Sequence, residues 1–210
     1  MKIRLQHRAY RFTQKLIATL IVTLLISLTL NIVYAQSGMV IGGDSFAAEC
    51  YRNSQVAISV GNANRHDLKP CDRAISDGTL RRDYLVASYV NRGAIHMAMA
   101  DPKSALDDLN HALELDDKTG EAYVNRGNLW FLGNKFPNAV ADYDLALKLG
   151  VEKPHVAHLN RGMAQEQMGK FEEAKADYQR SLNYAVGWTE AESRLARVIE
   201  KINKGNREKK

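Results

Sequence analysis

Apolar residues recur along this chain at the three-to-four spacing of helices, and no stretch alternates apolar and polar residues for long enough to predict a strand. One run departs from the periodicity: Leu16 to Val33 is apolar almost throughout. After it, Asp44 to Ile58 and Leu68 to Ser76 each read as a short helix, joined by the polar connection SVGNANRHD. Beyond Gly78 the pattern predicts helix to the end of the periodic region, rich in Ala, Leu, Glu, Lys and Arg. Pro102, Pro137 and Pro154 fall near inferred helix starts, where the N–H that proline lacks would have no partner in any case. A last helix, Glu190 to Ile202, sets Leu195, Val198, Ile199 and Ile202 on one face and charges on the other. Lys204 to Lys210 shows no apolar spacing and reads as a disordered basic tail.

Charge changes the picture at one end only. The 29 Lys and Arg exceed the 24 Asp and Glu by five, and residues 1–35 hold Lys2, Arg4, Arg8, Arg11 and Lys15 with no acid. Removing those five cations leaves 24 against 24, so the body is neutral and gives no reason to expect nucleic acid as a partner. A basic start, an apolar run and the ending Val33-Tyr34-Ala35 have the form of an export signal. The run from Leu16 to Val33 also approaches the length of a spanning helix, so an uncleaved anchor stays open. In both cases the rest of the chain lies outside the cytoplasm, periplasmic or otherwise exported, and membrane contact depends on retention of that segment.

Repetition organises the helical region. Gly93, Gly127 and Gly162 are followed, at one constant interval, by Ala105, Ala139 and Ala174. One helical turn further on stand Leu109, Tyr143 and Tyr178, then Ala112, Ala146 and Ser181. The pattern is similar to that of the tetratricopeptide repeat, a helix-turn-helix unit of about 34 residues. It departs from the family in Tyr89, Tyr123 and His158 for Trp, in Arg92, Arg126 and Arg161 for Leu, in His96, Trp130 and Gln165 for the later Tyr, and in lacking the closing Pro. The stretch CDRAISDGTL ahead of the first NRG resembles a layout of exported bacterial members. The resemblance implies an all-α fold, a right-handed solenoid of such units with an N-terminal helix pair and a C-terminal capping helix. The units expected are a signal or anchor over 1–35, a hairpin over 36–85, repeats over 86–119, 120–153 and 154–187, a cap over 188–203 and the tail over 204–210.

Each repeated Arg precedes an acid at a fixed interval: Arg92 and Asp108, Arg126 and Asp142, Arg161 and Asp177. In a hairpin of this length those positions face each other, which predicts an ion pair inside each repeat, with a guanidinium reaching to solvent as the alternative. Asn91, Asn125 and Asn160 point about 100° away, toward the side where successive first helices line up. A carboxamide column there can hold the main chain of an extended guest, as Asn does in members of the family, or can tie neighbouring repeats together. With Asn128, Met97, Phe131 and Met163, and with Val90, Val124 and Leu159, it would make a groove that is mostly apolar. Met97, Phe131 and Met163 also fit an ordinary core. The groove has no Lys or Arg to clamp a terminal carboxylate, and only Glu121, Glu166 and His155 bring charge.

Cys50 and Cys71, on the two helices ahead of the repeats in an exported chain, are expected to form a disulfide. No catalytic, cofactor or metal constellation is found: His155 and His158 lack a third ligand, GGDS at 42–45 is not a nucleophile elbow, and there is no phosphate-cradling loop. These features together predict a non-enzymatic scaffold or adaptor of the cell envelope that holds a peptide or helix in its groove. The alternative is a structural subunit of a membrane-anchored envelope complex that works through its outer face.

Overall fold

Wherever the structure describes the chain, its connecting turns are short, and several helices open on a proline or a capping side chain. The computed structural model describes residues 45–208. Among them are nine helices and no strand: α1 (Ser45–Val60), α2 (Arg65–Ser76), α3 (Arg82–Ala98), α4 (Pro102–Leu115), α5 (Gly120–Leu132), α6 (Phe136–Leu149), α7 (Pro154–Gln167), α8 (Phe171–Tyr184) and α9 (Thr189–Glu208). The expected signal or anchor over 1–35 lies outside the described residues. No described helix is long and apolar enough to cross a membrane.

Proline occupies the first turn of α4, α6 and α7. Asp101 caps α4, its Oδ1 accepting from the Ser104 N–H at 3.1 Å. Helix α2 starts ahead of the expected Leu68, at Arg65, because Asn64 and Asp67 form a capping box. Asn64 Oδ1 accepts from the His66 N–H at 2.8 Å, and Asp67 Oδ2 accepts from the Asn64 N–H at 2.8 Å. The tail departs further from expectation. Helix α9 continues through Glu208, since no proline stops it after Ile202 and Lys204 lies 4.0 Å from Glu208 one turn on. Residues 209 and 210 are outside the described region.

Three hairpins, α3–α4, α5–α6 and α7–α8, reverse direction in the same way, through one left-handed residue each: Ala100 (φ 56°), Asn134 (φ 56°) and Gly169 (φ 74°). Each second helix packs on the next first helix, and α3 touches α5 as α5 touches α7. The pair α1–α2 precedes α3, and α9 lies on α8.

Close approach inside each hairpin explains the repeated glycine. Leu109, Tyr143 and Tyr178 are buried opposite Gly93, Gly127 and Gly162. A Cβ on Gly127 would stand 2.7 Å from Tyr143 Cε1, and one on Gly162 2.8 Å from Tyr178 Cε1. At Gly93 the nearest atom, Leu109 Cγ, is 3.2 Å away. The disulfide between Cys50 and Cys71 joins α1 to α2 with Cα atoms 4.7 Å apart. Both cysteines are buried beside Ala57, Leu68 and Ile95. That cluster is thin in large side chains, so the covalent link supplies constraint that apolar area does not.

Candidate recognition surface

The seams between hairpins decide which residues can face a partner. In each hairpin the first-helix arginine makes a two-pronged contact with the second-helix aspartate through Nε and Nη2. The distances are 2.9 and 2.7 Å for Arg92 and Asp108, 2.8 and 2.8 Å for Arg126 and Asp142, and 2.7 and 2.5 Å for Arg161 and Asp177. The remaining nitrogen, Nη1, reaches back to the preceding hairpin. It donates to Asp72 on α2 at 2.8 Å, to Asn110 on α4 at 3.0 Å and to Asp144 on α6 at 2.5 Å. One guanidinium thus fastens two hairpins, a task the planar five-donor fork can perform and the family's leucine cannot. The sequence pattern pointed to the contact within a hairpin but missed the backward one, whose only trace is a polar residue about half a repeat before each Arg.

In the first two repeats the guanidinium also covers a ring, Arg92 over Tyr89 at 5.5 Å and Arg126 over Tyr123 at 5.3 Å. The third repeat differs. His158 Nδ1 lies 3.1 Å from Asp177 Oδ1, and its ring stacks on Tyr184 at 5.9 Å. Arg180 adds a third contact to the same oxygen at 3.2 Å. Burial alone would raise the Asp177 pKa; hydrogen bonds from Arg161 and His158 outweigh it and hold the carboxyl down at about 2.

The carboxamides do not stand on an open surface. Asn91, Asn125 and Asn128 have no exposed area and Asn160 keeps only 2 %. The reason is the closeness of the first helices: a residue on that side points into the seam between neighbours rather than out of the stack. Asn91 Oδ1 accepts from Ser54 Oγ on α1 at 3.1 Å. Asn128 Oδ1 accepts both from Asn160 Nδ2 on α7, at 2.9 Å, and from the Tyr143 hydroxyl on α6, at 2.8 Å. These bonds link adjacent elements, the second of the two roles the sequence allowed.

Met97 and Met163 are likewise inside, in the clusters around Leu109 and Tyr178. Phe131 is half-buried, set between the clusters of the second and third hairpins, with Phe136 edge-on at 5.5 Å. What the first helices leave open is narrower than expected: part of Phe131, the half-buried Ala98, and the exposed Leu132 and Gln167. At the far end Glu166 accepts from the Tyr178 hydroxyl and from Lys201 Nζ on α9, each at 2.7 Å. Burial raises its pKa, but these bonds prevail and keep it below the ordinary range. Lys201 is thereby neutralised where α9 closes the row. Among the described residues no cluster of three or more His, Cys, Asp or Glu could hold a metal ion.

Residues 86–119 and 155–185 match the family model described as tetratricopeptide repeat. Mitochondrial import receptor subunit TOM70 of Homo sapiens is 31% identical over 96 residues, which cover 45% of this chain and 16% of that protein. Tetratricopeptide repeat protein 6 of Homo sapiens is 36% identical over 73 residues, 35% of this chain and 14% of that protein. The matches therefore span about a sixth or less of these curated relatives. Among solved structures, the first tetratricopeptide domain of Spaghetti (RPAP3) bound to the HSP90 peptide SRMEEVD is 25% identical, with a TM-score of 0.54, over 56% of this chain and 93% of that one. The crystal structure of MamA, 16% identical, aligns with a TM-score of 0.59 over 78% and 87% of the two chains, which speaks to the fold alone. Tetratricopeptide repeats stacked as an α-solenoid are the common ground of these likenesses, and the RPAP3 domain among them binds a peptide.

Proposed function

We propose that this stack of tetratricopeptide hairpins is a non-catalytic scaffold exported to the cell envelope, which recruits a protein partner through the flank formed by its first helices. The observation that carries the reading is the chemistry of that flank. Its accessible part, Phe131 with Ala98, Leu132 and Gln167, is apolar or neutral, and Lys201 near its far end is paired with Glu166. Such a surface suits a neutral peptide or helix with apolar anchors. The RPAP3 domain is bound to an acidic peptide; here Lys201 is taken up by Glu166, Arg197 lies beside the same carboxylate and Glu121 would repel an acid, so the flank offers apolar area rather than a cluster of cations.

Because the amides hold the stack together, the guest would meet Phe131 and Leu132 rather than the Asn column, with Asn91, Asn125, Asn128 and Asn160 fixing the shape of the flank from behind. Met97 and Met163 would act the same way, as the soft packing beneath it. Export is supported by the Cys50–Cys71 disulfide, since such links persist in oxidising compartments, and by the signal-like composition of residues 1–35.

The test is affinity purification from the envelope fraction with wild type and with Leu132→Arg/Gln167→Arg, both positions being exposed so that the fold is kept. The expected result is loss of the captured partner in the variant and no detectable affinity of wild type for SRMEEVD. Equal recovery of every partner, or tight binding of the acidic peptide, contradicts the reading.

A further inference from the structure

The two seams that join the three hairpins are not built alike. Across the second, Arg161 on α7 donates from Nη1 to the carboxylate of Asp144 on α6, whereas across the first Arg126 on α5 donates to the neutral amide of Asn110 on α4. A carboxylate adds to the hydrogen bond a Coulomb attraction that an amide lacks. Asp144 is more than half exposed, so that difference alone is modest. Buried groups enlarge it. Asn128 Oδ1 gathers Tyr143 of its own hairpin and Asn160 of the next, and in the first hairpin Ala94 and Leu109 stand at the positions of Asn128 and Tyr143, where they can form no such bridge. Apolar packing follows the same order. Ala122 and Leu129 of α5 join a single cluster of the first hairpin. Across the second seam Ala157 joins Val124 and Val151, Ala164 joins Ala139 and Tyr143, and Phe131 reaches the cluster around Tyr178. The connecting turns differ too. Val151 in the α6–α7 turn is buried against Gly120, while its counterpart in the α4–α5 turn, Asp117, is exposed.

We infer that the stack bends at the first of these seams, with α1 to α4 turning as one body against α5 to α9. Apolar contacts have no preferred direction, so helices joined mainly by them can slide and tilt while staying packed. A buried amide bridge and a charged staple fix direction as well as distance, and the second seam has both. The placing of the contacts sets the axis. Helices α3 and α5 meet more extensively than α5 and α7, whereas α4 meets α5 less extensively than α6 meets α7. The bend therefore pivots along the first helices and opens on the side of α4. The pair α1–α2 moves with the first hairpin, because Arg92 holds the carboxylate of Asp72 and Asn91 accepts from Ser54. At the other end Lys201 and Glu166 keep α9 with the third hairpin. On the first-helix flank, Phe131, Leu132 and Gln167 then keep their mutual spacing while Ala98 moves relative to them. The hinge itself holds whatever the stack binds.

Distances between spin labels in the full chain, in mild detergent and without reductant so that Cys50 and Cys71 stay joined, test this. Labelled cysteines replace Glu114, Lys148 and Asn183, which are exposed and occupy the same repeat position on α4, α6 and α8. The 114/148 pair reads the first seam and the 148/183 pair the second. The 114/148 distance distribution is expected to be about twice as broad as the 148/183 distribution. Asn110→Asp, which offers Arg126 a carboxylate across the seam, should narrow the first distribution by about a third and leave the second as it was. Tyr143→Phe removes the bridging hydroxyl with little change of shape and should broaden the second by about half while leaving the first. Circular dichroism checks that helicity is kept. The two substitutions act in opposite directions on different seams, so a general loosening of the fold cannot imitate the pattern. Equal widths at the two seams of the wild type, or a broader distribution at the second, overturns the inference. So does a substitution that leaves its own seam unchanged or alters both alike.

Discussion

At the scale of single residues, the three glycines are equivalent in sequence but not in consequence. Tyr143 is buried and its hydroxyl is committed to Asn128, so the ring cannot retreat from a Cβ placed 2.7 Å away on Gly127. Gly127→Ala is expected to destabilise by about 1–3 kcal/mol despite the better helix propensity of alanine. Gly93→Ala faces an aliphatic side chain at 3.2 Å, which can yield, and should cost distinctly less. Urea denaturation of the two variants checks the order. The distinction was half legible in the sequence: Leu109 stands where Tyr143 and Tyr178 stand, but how far a ring can move depends on its hydrogen bond, which spacing does not disclose.

Asp177 makes a second prediction at this scale. Its folded pKa of about 2 lies below the ordinary carboxyl value of 3.8. The stabilisation it gives is therefore fully present above pH about 4 and is lost as the pH falls through 3.8 toward 2. The stability gap between wild type and Asp177→Asn, measured in urea, should close progressively below pH 4. A gap that stays unchanged down to pH 2 would show that the charge of Asp177 does not carry the contact.

At the scale of elements, the arginines act as staples between hairpins. Removing Arg126 strands Asp142, whose side chain is 7 % exposed, and frees Asn110 on the preceding helix. Arg126→Ala is expected to cost about 2–3 kcal/mol, less than a fully buried pair because a fifth of the Arg126 side chain still meets water. The pair Arg126→Met/Asp142→Leu should recover most of that loss, since two apolar groups leave no stranded charge. The disulfide works at the same scale but locally. Cys50→Ser/Cys71→Ser is expected to lower the stability of the first pair by about 3 kcal/mol on the chain-entropy account. Hydrogen exchange should quicken in α1 and α2 while α5 to α8 keep their protection. The helices, the hairpins and the Cys50–Cys71 link were readable from periodicity, repeat spacing and cysteine placement. The extra length of α9 was not, because its last turns carry no apolar stripe and hold Asn203, Gly205 and Asn206, residue types that disfavour a helix interior. The amides were also misjudged in part: a position on the side of neighbouring helices can point into a seam or out of it, and only the closeness of α3, α5 and α7 decides between the two.

At the scale of the whole molecule, stacking leaves two flanks of different character. The first helices bury most of their side toward the seams and expose a short apolar row at Phe131 and Leu132, while the second helices present Leu145 and Leu149 among charges. Under the proposed function, partner recruitment belongs to the first flank. The most direct test places a photo-crosslinking residue at Leu132, on α5, or at Leu145, on α6, in cells that make the full chain. The two sites are 37 % and 40 % exposed, so access to water does not distinguish them. A discrete protein adduct from position 132 and none from position 145 is the expected result. Adducts from position 145 alone, or the same adducts from both, would contradict it.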